Sequence, residues 1–494
     1  MSATRLGDIT YLPEEPSPHA FIGAHEVIQQ RLDRLPPELA ADIRAHPRDL
    51  YIRMAVETAA HLAAWPPHGV PQWFDALPEA YRREAERQYA IHATEDPNIA
   101  LGFPYTRLGG YVVDLDERGM LGQAYHLFRL QRLNFIRQLA WLTQPVLPQD
   151  AHDIYPARYE HNRLSHVEDV AAVANLLGHG LGLSETEVRT LTLAAMTHDA
   201  RTPAGGDTTK LLDRDYFDED KHYGELLARD GVADFLREFG IDAAFLTATV
   251  QGEGLLGTLL DLADKTAYLS RDAASFHYRF RNELADCPEG QAVHDLLIKR
   301  PDVCAAWRCA EVRGGKLVLR DPEALAEMLR LRALLFRSLY FHPGARYTEW
   351  IVSHIVLRHL VKSGEIRKED LLEWNDQELD LHVQRYTNFG LGSVFGDPVY
   401  EGFDDEASAE ARRTELLADN ENCVTIERLP AKIGSGTKFL VLGPRKRKPL
   451  PLAEAYPELA APVDALARVV QPYRLYWVPT DSLPGRLRKF FADT

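Results

Sequence analysis

HDARTPAGGD, residues 198–207, is the stretch on which the fold prediction depends. It begins with His198 and Asp199 at the end of a predicted helix, whose start carries an S-x-x-E capping box at 184–187. A neutral imidazole beside a carboxylate offers a mixed nitrogen and oxygen donor pair, which suits several divalent metal ions. The dipeptide alone is weak evidence, since a second His-Asp pair at 152–153 has no helical setting.

Polar residues on two flanking helices strengthen this indication. HNRLSH, residues 161–166, opens a predicted helix before the pair and ends in His166. After the pair, Asp264, Tyr268 and Asp272 follow at i, i+4 and i+8, so they share one face of an apolar helix. Such groups are costly to bury without partners, and a metal ion with a sugar hydroxyl would satisfy them. Solvated salt-bridge positions are the alternative interpretation of this face.

The composition restricts the class of protein and its partners. The chain has 494 residues, too many for one ordinary core, so two or three lobes are expected. Its net charge of −17 argues against nucleic acid as the main partner but leaves room for a small anionic substrate. Four cysteines without a C-x-x-C pair indicate no disulfide framework. With no signal peptide and no apolar run of membrane-helix length, we expect a cytoplasmic protein without a membrane partner.

Periodicity and composition divide the chain into three parts. Residues 1–105 are expected to form an N-terminal helical extension, and residues 106–395 a helical domain that carries the motifs above. The clearer strand signals of the chain lie at 423–426, 439–442 and 473–478. Residues 396–494 are therefore predicted to form a small α+β lobe, and the fold class is predicted to be mainly α.

Five motifs, in order between about residues 128 and 345, resemble the HD-domain deoxynucleoside triphosphate triphosphohydrolases. This family includes the mammalian enzyme that joins a sterile-alpha-motif domain to an HD domain. The motifs are QRL-x-x-IRQL at 131–139, HNR-x-x-H at 161–166, HD at 198–199, DK-x-x-Y-x-x-RD at 264–272 and R-x7-Y-x-H at 332–342. The resemblance implies a helical core of the HD/PDEase-like type, with residues 106–395 as an HD phosphohydrolase domain. It also implies a metal-dependent enzyme that cleaves dNTPs at the α-phosphate, releasing deoxynucleoside and triphosphate.

The same resemblance assigns roles to individual residues. The metal ligands would be His166, His198, Asp199 and Asp264. The phosphates would be held by Arg163, Lys265 and Arg332, and the base or deoxyribose would face Gln138, Tyr268 and Asp272. Mn²⁺ or Mg²⁺ is the expected metal, with Fe²⁺, Co²⁺ or Zn²⁺ as alternatives. Related enzymes form homo-oligomers, some with nucleotides bridging subunits, so a homo-oligomer and a nucleotide activator are expected by resemblance alone.

The loop after the His-Asp pair departs from the family pattern. The family carries HD-x-G-H-x-P-F-x-H, whereas Thr202 and Asp207 stand here where the two histidines belong. A threonine cannot act as a general acid at neutral pH, so the proton donor is open. His222, which matches a later family histidine, is one candidate, and Asp207 or Glu225 acting through a water is the other. The structural alternatives are an exposed helix residue at His222 and a turn residue at Asp207.

The same loop supports two alternative functions. His198-Asp199-Ala200 with Gly206-Asp207 is similar to the HDA-x5-GD of HD-domain 5′-deoxynucleotidases, which act on dNMPs and use the loop aspartate to recognise the 3′-hydroxyl. That family has a glutamate where Thr202 stands. The second alternative is a catalytically impaired HD protein that binds nucleotides, although a complete set of four metal ligands argues against it.

Overall fold

A computed structural model describes the chain from residue 120 onward, with gaps. The described residues are 120–139, 162–283, 292–293, 295–296, 303–387, 399–418, 422–429, 434–444, 448–468 and 471–478. The predicted extension at 1–105, the His-Asp pair at 152–153 and His161 lie outside them.

Helices make up most of the described chain. The α-helices are α1 Met120–Leu127, α2 Arg163–Gly180, α3 Glu185–Thr197, α4 Gly206–Lys210, α5 Tyr223–Leu227, α6 Val232–Glu238, α7 Ala243–Val250, α8 Gly254–Glu283, α9 Pro322–Leu335, α10 Pro343–Trp350, α11 Arg358–Lys362, α12 Lys368–Glu373, α13 Asp376–Thr387, α14 Glu406–Ala418, α15 Leu452–Ala455 and α16 Pro457–Ala467. Short 3₁₀-helices lie at Leu130–Phe135 and Val303–Cys309, and π-helical turns at Phe336–Tyr340 and Ile351–Leu357.

Seven strands form two small sheets. The strands are β1 Ala310–Arg313, β2 Lys316–Leu319, β3 Tyr400–Phe403, β4 Asn422–Arg428, β5 Leu440–Leu442, β6 Pro449–Pro451 and β7 Tyr473–Val478. The first sheet has the order β1-β2-β5-β6, with β2 and β5 parallel and the other pairs antiparallel. The second is antiparallel, in the order β3-β7-β4. The prediction of a mainly α fold with a small α+β part is confirmed.

The main core lies where α2, α3 and α8 pack on one another. Their buried faces carry apolar side chains such as Val167, Leu191 and Leu259. The predicted capping box is present, since the Glu187 amide donates to Ser184 Oγ at 3.3 Å and the Ser184 amide to Glu187 Oε2 at 2.8 Å. Helix α3 therefore begins where the sequence predicts and ends directly before the His-Asp pair.

A second core joins the three-stranded sheet to the helices around residues 347–383. Tyr476 and Val478 of β7 pack there with Trp350, Ile355 and other buried apolar side chains. This packing places β4, the neighbour of β7, beside α10. None of the helices in the described part of the chain combines the length and apolar character needed to cross a membrane.

Candidate active site

Three helices bring the four predicted metal ligands together. His166 lies on α2, His198 and Asp199 follow α3, and Asp264 lies on α8. Asp264 Oδ1 lies 3.1 Å from His166 Nε2 and 3.9 Å from His198 Nε2. Asp199 lies 3.9 Å from each of the same two nitrogens, through Oδ2 and Oδ1 respectively. Nitrogen and oxygen atoms that converge so closely from three segments could hold one ion.

The protonation of these groups fits a cation site. The His198 Nδ1 atom lies 2.8 Å from the Ala195 carbonyl oxygen, which assigns a proton to Nδ1 and leaves Nε2 as the ring nitrogen that faces the carboxylates. Burial opposes ionisation of Asp199, but Arg163 and the two histidines lower its pKa below the ordinary value. The pKa of Asp264 is likewise lowered against burial, mainly by His166. Two imidazoles and two carboxylates form a donor set that suits Mn²⁺, Mg²⁺, Fe²⁺, Co²⁺ or Zn²⁺.

Arg163 links this cluster to the loop that follows it. Its buried guanidinium donates from Nη1 to Asp199 Oδ2 at 2.7 Å and from Nη2 to Asp207 Oδ2 at 2.9 Å. Nη2 also lies 3.3 Å from the Gln138 carbonyl oxygen. One side chain therefore fixes the metal-ligand cluster, Asp207 and the segment that carries Gln138.

Backbone geometry turns the loop so that Asp207 faces the cluster. Gly205 and Gly206 have φ of 78° and 50°, a left-handed region that favours glycine. The Gly205 amide donates to Asp376 Oδ1 at 2.7 Å, and Arg132 Nη2 donates to the Thr202 carbonyl oxygen at 2.6 Å. These two contacts, the first buried and the second partly buried, hold the loop in place.

The cluster lies in a cleft of about 690 Å³. Of the predicted substrate and catalytic residues, five line it: Gln138, Arg163, Asp207, Tyr268 and Asp272. Four others are not among the lining residues: Lys265, Arg332, His222 and Glu225.

The two predicted phosphate ligands outside the cleft have other contacts. Lys265 pairs with Asp261 one helical turn earlier, and its ammonium lies 5.4 Å from the Phe439 ring centroid. Arg332 Nε donates to the Tyr268 hydroxyl at 3.0 Å. Arg332 therefore supports a cleft residue, and Lys265 contacts the four-stranded sheet region. Their role in holding phosphates stays a prediction.

The predicted proton donors also have other contacts. His222 Nδ1 lies 2.8 Å from Glu225 Oε1, and its Nε2 lies 3.0 Å from the Asp215 carbonyl oxygen, so both ring nitrogens are engaged. Glu225 additionally accepts from Arg201 at 3.0 Å. Asp207 does line the cleft, but Lys210 and Arg163 outweigh the effect of burial and lower its pKa to about 2. Asp207 is thus a carboxylate at neutral pH, unsuited to donating a proton.

The three residues predicted to face the base or sugar all line the cleft. The Tyr340 hydroxyl donates to Asp272 Oδ2, and burial raises the pKa of Asp272 to about 7. Gln138 Oε1 is buried without a hydrogen-bond partner among the described residues. A buried amide oxygen in this state has an unmet need for a donor, which a ligand amide or hydroxyl could supply.

Sequence reasoning missed several charged residues that line the cleft: Lys210, Arg214, Glu219, Arg346, Glu349 and Glu427. Lys210 Nζ contacts Asp207 at 2.9 Å and Glu219 at 2.7 Å, and Glu219 also accepts from the Thr202 hydroxyl. Among these residues, Lys210 alone has a local indication in the sequence, because it follows Asp207 by three residues. Arg346 and Glu349 belong to α10 and Glu427 to β4, so their approach depends on tertiary packing.

Comparison with known proteins gives little beyond this geometry. No protein-family model matches the chain, and no curated protein matches it. Among solved structures, the chain is similar to the crystal structure of a phosphohydrolase from Bacteroides thetaiotaomicron. The match has 15% sequence identity and a TM-score of 0.45, and covers 73% of this chain and 96% of that one. A match at this level establishes neither a shared fold nor a shared activity.

Proposed function

We propose that this chain is a divalent-metal-dependent phosphohydrolase that cleaves dNTPs at the α-phosphate, releasing deoxynucleoside and triphosphate. The observation that carries the proposal is the convergence of His166, His198, Asp199 and Asp264 from three helices, where a carboxylate oxygen of each aspartate lies within 3.9 Å of both imidazole Nε2 atoms, in a cleft that also holds cationic side chains. Simple nucleotide binding does not require such a complete ligand set. The choice of dNTPs rests on the five sequence motifs.

A divalent ion held by these four residues would supply Lewis-acid activation of a phosphoryl oxygen and lower the pKa of a water. The protein's own residues do the remaining work. Arg163 keeps Asp199 ionised and oriented, since it donates to that carboxylate from inside the core. Tyr268 and Asp272 line the cleft and take the sugar, and Arg332 fixes the Tyr268 hydroxyl. The close approach of a tyrosine at the sugar would disfavour a ribose 2′-hydroxyl.

The second candidate is a 5′-deoxynucleotidase acting on dNMPs. The observation in its favour is the position of Asp207, which reaches the cleft as a carboxylate and is held by Arg163 and Lys210. An ionised aspartate there could accept a hydrogen bond from a deoxyribose 3′-hydroxyl. The cleft of about 690 Å³ accommodates either substrate, so volume does not decide between them.

Product analysis tests both candidates. The purified protein is incubated with each dNTP, rNTP and dNMP plus Mn²⁺, and the products are separated by ion-exchange chromatography. Asp199→Asn removes one ligand at nearly constant volume, whereas Asp234→Asn alters an exposed aspartate paired with Arg237 and serves as the matched control. We expect triphosphate from a dNTP with the wild type and the control, and none with Asp199→Asn.

Two other outcomes lead elsewhere. Orthophosphate from dNMPs alone would replace the proposal with the deoxynucleotidase. No turnover by the wild type, with or without a second nucleotide as activator, would assign the chain to the nucleotide-binding class.

A further inference from the structure

The cleft contains four cationic side chains among the described residues, and three of them are already paired. Arg163 contacts Asp199 and Asp207, and Lys210 contacts Asp207 and Glu219. Arg346 pairs with Glu349 and Glu427 in the same way. The fourth is Arg214, an exposed residue that lines the cleft and makes no hydrogen bond or ion pair with any described residue. It is therefore the cation whose guanidinium is available to a ligand.

The acids next to Arg214 in sequence do not neutralise it. Asp213 Oδ2 accepts from Lys368 Nζ at 2.5 Å, and Asp213 Oδ1 accepts from the Tyr216 amide at 3.1 Å. Asp215 pairs with Lys221 through its Oδ1. Both flanking carboxylates thus have other cationic partners, and the planar donor group of Arg214 stays open to the bidentate geometry that phosphate oxygens favour.

The position of Arg214 relative to the metal-ligand cluster suggests what it binds. A chain of contacts runs from Asp199 through Arg163 and Asp207 to Lys210. Arg214 follows Lys210 by four residues, and the Thr208 hydroxyl ties this segment to Glu349 of α10, the helix of Arg346. The pKa of His354 is lowered to about 4 by burial, against Glu427, and the charges of Arg358, Arg214 and Arg346 add to this lowering, so Arg214 and Arg346 both lie near this histidine. Cations thus continue from the cluster along the lining of the cleft.

We propose that Lys210, Arg214 and Arg346 form a polyphosphate-binding wall, in which Arg214 contacts phosphates beyond the one that lies at the metal-ligand cluster. In this proposal the wall has the phosphate-binding role that the motif resemblance assigns to Lys265 and Arg332, which are not among the cleft-lining residues. The inference rests on the proposed function and narrows its substrate class, since a nucleoside monophosphate has no second phosphate to reach Arg214.

Binding of base-free phosphates tests the wall without relying on turnover. Inorganic tripolyphosphate and orthophosphate are titrated calorimetrically into the metal-loaded protein at fixed free Mg²⁺. The metal matters, because nine carboxylate residues line the cleft against four cationic ones among the described residues, so the metal-free cleft repels anions. Arg214→Ala is compared with Arg237→Ala, which removes the same charge from an exposed arginine that pairs with Asp234 and lies outside the cleft lining.

We expect Arg214→Ala to weaken tripolyphosphate binding by roughly 10-fold or more and orthophosphate binding by less than about 2-fold. Arg237→Ala should change neither, and Arg214→Lys should restore part of the loss. Equal weakening in the Arg214 and Arg237 variants, or unchanged tripolyphosphate binding in Arg214→Ala, would overturn the wall. So would orthophosphate binding to the wild type as tightly as tripolyphosphate. If the wild type hydrolyses no dNTP while Arg214→Ala still selectively loses tripolyphosphate, the proposed function fails and the wall stands.

Discussion

Asp376→Asn is expected to destabilise the loop after the His-Asp pair. The buried Asp376 carboxylate accepts three hydrogen bonds, from the Gly205 amide at 2.7 Å and from the Arg137 amide and Nε at 2.9 Å each. It thereby joins the loop that carries Asp207 to the segment that carries Gln138. An asparagine oxygen can still accept from Gly205, but its amide group cannot accept from Arg137.

The magnitude follows from the two lost bonds. An unpaired buried backbone amide costs about 1 kcal/mol and a lost charge-assisted bond about 2 kcal/mol, so we expect a loss of about 3 kcal/mol. Asp380→Asn is the matched control, because Asp380 lies on the same helix and pairs with the same arginine through Nη2 at 2.8 Å, whereas the Gly205 amide donates to Asp376. Its side chain is 27% exposed, and its replacement should cost less than about 1 kcal/mol.

Urea denaturation followed by tryptophan fluorescence measures both variants, and the comparison requires an unchanged slope of free energy against urea. Trp374 is a suitable reporter, since its carbonyl oxygen accepts from Arg132 at 2.8 Å beside this junction. Equal shifts of the unfolding midpoint in the two variants would refute the reasoning, because the bond from the Arg137 amide to Asp376 would then contribute nothing beyond the Arg137 ion pairs.

Two further predictions concern charge. Burial raises the pKa of Glu349 to about 7, so its contribution to stability is present in full below the ordinary glutamate pKa of about 4.5 and is lost as pH rises toward 7. Glu349→Gln should therefore flatten the dependence of the thermal unfolding midpoint on pH across that window. An unchanged pH profile in this variant would contradict the assignment. Adding Mn²⁺ to chelator-treated protein should raise the thermal unfolding midpoint measured by calorimetry, because a cation offsets the repulsion between the Asp199 and Asp264 carboxylates. The rise should be smaller in Asp264→Asn. Equal rises in the wild type and the variant would count against the proposed metal site.

Helical geometry explains which sequence predictions reach the cleft. Asp264, Tyr268 and Asp272 repeat every four residues, and the structure places all three side chains along the cleft. Lys265 follows Asp264 by one residue, which rotates it about 100° around the helix. It therefore meets Asp261 and Phe439 instead of the cleft. The motif resemblance alone does not predict this rotation, whereas the helical periodicity does.

Other features depend on packing between distant segments, which local patterns do not encode. The capping box at Ser184 and Glu187 could be predicted because both partners lie within one helical turn. Arg346 could not, since its approach requires α10 to pack beside α4 and β4. The hydrogen bond between the ring of His222, a predicted proton donor, and the Asp215 carbonyl oxygen likewise could not be predicted from the spacing of these residues in the sequence.

Asp207 shows how one loop residue affects phosphate binding in the cleft. A histidine in that position would leave the second edge of the Arg163 guanidinium open to a phosphate, whereas Asp207 occupies that edge at 2.9 Å and also engages Lys210. An incoming phosphate must then displace a carboxylate from either cation, which costs part of the binding energy. Arg214 has no such competitor among the described residues. In the proposed phosphate-binding wall, Asp207 thus shifts phosphate recognition to Arg214, the unpaired cation four residues after Lys210.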